Sequence, residues 1–304
     1  MAKILQYIFI SVTLSMFLTT CVKGTVHSKL ALADTLMWTN PDSSLRVLKG
    51  IDTSMLVSEA GRAYYALLLT QANYRCDIKA NETSQAMMSQ ALTYYSCHGP
   101  KEMLTRAYLY YGTVQEELGH LPEAMRLYKL AELNAETRDF RNLGQIYLRI
   151  GDLYFYHYSN NGADVANYKK SLSCYEKIDD LRHQMNCLTR LAAISRLNDG
   201  AYALKCIHRL MAIGRQLADS TIVADAYEFL SGYYIDSYPQ KAKEAALYGV
   251  KLYGQDGATD YLYYDLARSY AKLRQTDSAK YYFGLTKSCA YGSSTFVLRN
   301  SAQR

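Results

Sequence analysis

Six His, seven Cys and 28 acidic residues are spread along a 304-residue chain, and reaction chemistry would need some of them at fixed spacing. That spacing is absent. There is no HExxH, which places two zinc-binding His on one helix face, no GxSxG nucleophile turn, no GxxxxGK[ST] phosphate loop and no GxGxxG dinucleotide turn. No CxxC or paired Cys/His set has zinc spacing. His157, flanked by Tyr156 and Tyr158, reads as a helix-end residue facing water. Glu116 and Glu117 are adjacent, so on a helix they point about 100° apart, which makes a solvated face and not a working carboxylate pair. The expectation is a protein without catalysis, metal or cofactor.

One Cys does carry a chemical expectation. Lys3 is followed by a mostly apolar run from Ile4 to Leu18, shorter than the ~20 apolar residues of a membrane-spanning helix and of the length and flanks of a secretory signal. The run ends Leu18-Thr19-Thr20-Cys21, which resembles a bacterial lipobox, with Thr20 where Gly, Ala or Ser usually stands. The resemblance implies export, removal of residues 1–20, lipidation of Cys21 and a linker at 21–25. The residues after Cys21, Val-Lys-Gly-Thr, lack acids, which favours the periplasmic side of an envelope membrane. Removing residues 1–20 lowers the formal charge from +6 to +5 over 284 residues. The basic residues are scattered, with no stripe to track phosphates, so nucleic acid is not an expected partner. Six Cys remain besides Cys21; export allows disulfides, with Cys76–Cys97 and Cys187–Cys206 as candidates, while burial as small hydrophobes is the other use open to them.

The elements that hold this chain together are legible in residues 110–131, YYGTVQEELGHLPEAMRLYKLA. Gly in a helix costs about 1 kcal/mol relative to Ala, so Gly112 needs a packing reason. A helical hairpin supplies one: Gly112 marks where the two helices cross, Ala124 is the facing small residue, and Tyr108, Tyr111 and Tyr128 fill the space around the crossing. Gly119-His120-Leu121-Pro122 then makes the turn. Tyr147, Ile150, Gly151 and Tyr154 repeat the first-helix spacing 39 residues later, and Tyr263, Leu266, Ala267, Tyr270, Ala279 and Phe283 repeat nearly the whole unit. Leu188, Leu191, Ala192 and Ala203, and Tyr227, Leu230, Ser231 and Ala246, are degraded copies. The copy from Gly144 is expected to have a longer second helix, because Asn160-Asn161-Gly162 interrupts it. Thirty Tyr and four Pro fit long helices with amphipathic side chains between them.

This spacing resembles the tetratricopeptide repeat, and the resemblance implies an all-α, right-handed superhelix of antiparallel helical hairpins. Upstream, helices are expected at 28–37, 42–48, 59–74 and 83–95, with Asn40 capping and Pro41 in the first turn. About six hairpins result, divided here into 26–100 and 101–288, followed by a weakly structured tail at 289–304. The stretches NPDSSLRVLKGID, RAYYALLLTQANY and AYLYYGTV also resemble tetratricopeptide lipoproteins and sensor proteins of Bacteroidetes, whose longer members carry an output part that this sequence lacks.

A superhelix of this kind places function on its concave face, lined by first helices. The residues flanking the packing positions there are Arg106, Leu109, Thr113, Glu116, Gln145, Leu148, Asp152 and Phe155, then Asn186, Thr189, Asp225, Glu228, Tyr261, Tyr264 and Arg268. Mixed aromatic and polar groups suit a peptide or a partner helix. The expected function is therefore a membrane-anchored scaffold binding another envelope protein; the alternative is a ligand- or glycan-binding sensory lipoprotein using Phe155, Tyr261 and Tyr264 as stacking platforms. At the carboxyl end, Tyr282 and Leu285 are expected to be partly uncovered, a surface for a partner or for self-association.

Overall fold

The computed structural model describes residues 26–158, 162–254 and 260–286, and the described residues are almost wholly helical. Cys21, Gly257, Cys289 and the 289–304 tail lie outside them. Fourteen helices follow one another: α1 (26–36), α2 (Pro41–Lys49), α3 (Glu59–Arg75), α4 (Glu82–Cys97), α5 (Lys101–Glu117), α6 (Leu121–Asn134), α7 (Phe140–His157), α8 (Ala163–Glu176), α9 (Leu181–Asn198), α10 (Gly200–Gln216), α11 (Ser220–Tyr234), α12 (Pro239–Tyr253), α13 (Asp260–Lys272) and α14 (Thr276–Leu285). That is seven pairs where the repeat spacing suggests about six. The copy from Gly144 differs in another way: α8 has 14 residues, as α6 has, so the extra length lies in the connection between α7 and α8 and not in the helix.

Local chemistry accounts for where these helices start. Asn40 Oδ1 accepts from Ser43 N at 3.0 Å with Pro41 at the first position. Ser58, Asn81, Asp180, Asp199 and Asp219 cap α3, α4, α9, α10 and α11 in the same way, each satisfying amides that the helix leaves without an internal partner. The stops share a second device. Residues 77, 119, 179, 218 and 274 have φ between +51° and +84°, and the next amide reaches back five residues, as in His120 N→Gln115 O at 2.8 Å and Asp219 N→Gly214 O at 2.9 Å. This is the Schellman closure of a helix end.

The chain divides into two compact units, one ending at Leu153 and the other beginning at Tyr154, inside α7. In the first, α2 packs on α3, α3 on α4, α4 on α5 and α5 on α6, with α3 also touching α5. The turn at residue 100 thus joins two helices that pack together. In the second, α8 to α14 pack in succession, and α9, α11 and α13 also touch one another in order, so alternate helices line one side. Buried Leu30, Met37, Leu48 and Leu68 hold the start of the first unit; Ala246, Leu262 and Leu266 hold the end of the second.

At Gly112 the nearest group is the ring of Tyr128: a Cβ on Gly112 would lie 2.6 Å from Tyr128 Cε1. Tyr128 is one turn beyond Ala124 on the same helix face, and its larger side chain reaches the crossing first. Of the candidate disulfides neither is formed, and none of the five described cysteines is in a disulfide. Cys174, Cys187 and Cys206 are buried, and burial pushes the Cys174 and Cys206 thiols up. On α14, Tyr282 is half-buried and stacks on Tyr270 at 5.4 Å, and Leu285 is half-buried too. Tyr281 and Phe283 are the exposed ones, at 63% and 40%.

Candidate functional site

The two units treat their alternate-helix faces differently. In the first unit that face is closed by its own side chains. Arg106, from α5, forms an ion pair with Asp34 of α1 at 2.8 Å and donates to Gln71 Oε1 of α3 at 2.7 Å, while Tyr64 donates to the same carboxylate at 2.6 Å. Burial alone would favour neutral Asp34, but the hydrogen bonds and charge of Arg106 outweigh it and hold the carboxyl below its ordinary range. At the other end of α5, Arg149 of α7 meets Glu116 at 2.6 Å and Asp152 at 3.6 Å, donates to Tyr128 Oη at 3.3 Å and lies over the Tyr74 ring. Burial opposes the charge on Arg149; Glu116 and the other neighbours overcome that and keep it protonated well beyond the usual guanidinium range. Trp38, in the turn after α1, has Arg75 on one contact at 4.6 Å and Arg141 on another at 4.8 Å.

The sequence-derived residues of this unit accordingly sit inside the packing: Arg106, Leu109, Thr113, Gln145, Leu148 and Asp152 are each 6% exposed or less. Glu116 is half-buried. Their hydrogen bonds are internal, as in Thr113 Oγ1 to Leu109 O at 3.1 Å and Gln145 Nε2 to Tyr74 Oη at 3.1 Å.

The face of the second unit is half-open. Phe155, Asn186, Thr189, Asp225, Glu228, Tyr261, Tyr264 and Arg268 are all half-buried. The structure brings those on α9, α11 and α13 to neighbouring helices that share one side, while Phe155 lies in the last turn of α7, edge-on to Tyr156 at 83°. Tyr253 donates to Asp225. Arg268 spans from Asp236 at 3.2 Å to the Tyr264 ring at 5.8 Å, and Lys272 joins Asp236 at 3.1 Å. These exposed pairs add little stability, each about 0–1 kcal/mol, so they can be exchanged for bonds to a partner. Gly232 lets Arg196 approach the face: a Cβ there would meet Arg196 Nη1 at 3.0 Å and Asp265 Oδ2 at 3.5 Å.

Asp265 is the carboxyl that burial displaces upward. It is 9% exposed and accepts from Ser231 Oγ, which ties α13 to α11. Burial pushes its carboxyl up to about 6, against the Ser231 hydrogen bond and the charges of Arg268 and Arg196. Because the folded carboxyl holds its proton more tightly than a free aspartate does, its contribution is full below about pH 4 and is lost as pH rises through about 6. The displacement corresponds to about 3 kcal/mol. Asp265→Asn should therefore be more stable than the native protein near pH 7, with the difference vanishing near pH 4. Urea unfolding at both values checks this; equal midpoints at neutral pH would refute it.

Residue spacing could not find Asp34, Gln71, Trp38 or Arg75, because the repeat spacing is counted only from Tyr108 onwards. Asp265 and Ser231 had a signal, a polar residue within an otherwise apolar stripe.

No protein-family model and no curated protein matches the sequence. Solved structures do. The apo form of RapI matches at 14% identity over 86% of this chain and 76% of its own, with a TM-score of 0.71. NprR in complex with its cognate peptide NprX matches at 16% identity over 91% and 82%, with a TM-score of 0.60. A Rap protein complexed with competence and sporulation factor matches at 15% identity over 87% and 76%, also at 0.60. The fold is a tetratricopeptide-type helical repeat. At these identities the likeness is one of architecture.

Proposed function

We propose that this chain is a binding protein of a bacterial envelope, exported and anchored through Cys21 on the periplasmic side, and that it holds a polypeptide partner on the α9, α11 and α13 face of its second unit. The observation that carries the reading is the half-open row Arg196, Asp225, Glu228, Tyr264 and Arg268, where charges of both signs and aromatic edges alternate across three neighbouring helices. A polypeptide presents amide donors and carbonyl acceptors in alternation, which such a row can match. A sugar would need flat exposed rings, whereas Tyr264 meets Phe283 edge-on at 69°. The complexes of NprR with NprX and of Rap with competence and sporulation factor support a peptide-binding role for this architecture.

The test is site-specific photocrosslinking in intact cells from Thr189, Glu228 and Tyr264, with Lys205 and Lys251 on the second helices as references. A discrete adduct with one envelope polypeptide from the first three positions alone, weakened by Arg268→Ala, is the expected result. Adducts of equal yield from all five positions, or none from the first three, would remove the proposal.

A further inference from the structure

A separate site lies in the first unit. The α3 residues Glu59, Arg62, Ala63, Ala66 and Leu69 recur every three or four positions and share one side of the helix, opposite the side that carries Tyr64 and Gln71. Together with residues of α4 they line a trough of ≈ 680 Å³, in the size range of small-ligand sites. Ala63, Ala66 and Ala91, each 4% exposed or less, form its floor. Leu69 and Met87 are its far wall and stay half-buried, so apolar surface is left for an occupant. The near end is polar. There Arg62 Nη1 donates to Leu56 O at 3.1 Å and to Val57 O at 3.0 Å, and His98 is stacked on Tyr94 at 5.0 Å.

Two properties select the occupant. The first is the polarity from end to end. Glu59 lies in the first turn of α3, where the helix dipole favours an acid. Arg62 is a cation near that same positive helix end, held there by two carbonyls, and among the described residues no acid pairs with it. Its charge is left for an anion. The second property is size. Arg62 and Leu69 are seven residues apart, about 10 Å along the helix. Because α3 packs directly on α4, a single alkyl chain reaches the Ala floor, while a helix about 10–12 Å across rests on the rims. We propose that the trough binds a medium-chain carboxylate, its head on Arg62 and its tail along Ala63, Ala66 and Ala91 towards Leu69 and Met87. This site is independent of the polypeptide-binding face of the second unit.

The experiment is titration calorimetry of the full chain with decanoate, decyl alcohol and decylammonium. Decanoate should bind saturably, one per protein, and about tenfold tighter than decyl alcohol, because a charge-assisted hydrogen bond to Arg62 is added to the same tail. Decylammonium should bind most weakly. Arg62→Gln should bring decanoate down to the affinity of the alcohol and leave the alcohol unchanged, a pattern that loss of folding would not produce. Glu59→Gln should leave decanoate binding at least as tight, and Ala66→Phe should close the floor to both ligands. No saturable uptake of decanoate, equal affinity for decanoate and decylammonium, or undiminished binding by Ala66→Phe would each overturn the proposal. Sedimentation of the same samples separates the other occupant: a dimer that takes up no decanoate and that Ala66→Phe breaks apart would overturn the ligand and assign the trough to a second copy of the chain.

Discussion

Replacing Arg149 with Met should lower the unfolding free energy by about 3–5 kcal/mol, the usual consequence of removing one member of a buried ion pair. Arg149 and Glu116 are 13% and 15% exposed at their side chains, and Asp152 is 5% exposed. Without the guanidinium, two carboxylates, on α5 and α7, lose the charge that balances both. Tyr128 still donates to Glu116 at 2.7 Å, but a neutral hydroxyl cannot offset a desolvated charge. Adding Glu116→Gln to Arg149→Met should recover part of the loss, because it removes one orphaned charge while keeping an acceptor for Tyr128. A double-mutant cycle by urea unfolding reads this coupling directly. A single-variant loss below about 1 kcal/mol would mean that the network is solvated and behaves as a surface pair.

The second large effect is expected at Gly112. Tyr128 has no exposed surface, and its hydroxyl is engaged by Glu116 and Arg149. The ring that a new side chain would strike therefore cannot swing aside without breaking the ion-paired network. Gly112→Leu should cost more than the roughly 1–3 kcal/mol of ordinary overpacking, because the hydroxyl contacts, worth about 0.5–1.5 kcal/mol, go with it. Gly284 is the matched comparison, a helical Gly with nothing within 4 Å of its added Cβ. Gly284→Leu should leave the melting temperature within a few degrees of native, while Gly112→Leu lowers it markedly. Similar melting temperatures for the two variants would refute the close approach at the α5–α6 crossing.

How much of this could be read beforehand depends on what each feature is made of. The hairpins were legible because a crossing needs a small residue and its neighbours large ones, and Gly112, Tyr108 and Tyr111 state that in residue types. The start of α2 was legible because a cap is side-chain chemistry, Asn40 before Pro41, and that of α3 because its apolar residues recur at helical spacing. The partner of Gly112 was not: Ala124 and Tyr128 lie on the same face, and only the lean of the helices decides which arrives first. The closed state of the first-unit face was hidden for a different reason. Arg106 flanks a packing position as a binding residue would, and nothing local to α5 tells that Asp34, 72 residues earlier, lies within hydrogen-bond distance. In the second unit the same counting rule, applied to α9, α11 and α13, lands on half-buried residues.

The helix stops have a consequence for how such a chain can diverge. Of the five Schellman turns only one has Gly at the left-handed position; Asp77, Asp179, Ala218 and Arg274 occupy the others, although a residue with a Cβ pays roughly 1–2 kcal/mol there. The reach-back amide bonds, such as Gln275 N→Tyr270 O at 2.9 Å, are made by backbone atoms that every residue except proline possesses. The instruction to end a helix is thus carried by groups that substitution leaves in place. Over generations the letters at these corners can be exchanged freely while the spacing between helices stays the same, so descent would fade from the alphabet of the repeats long before it faded from their period.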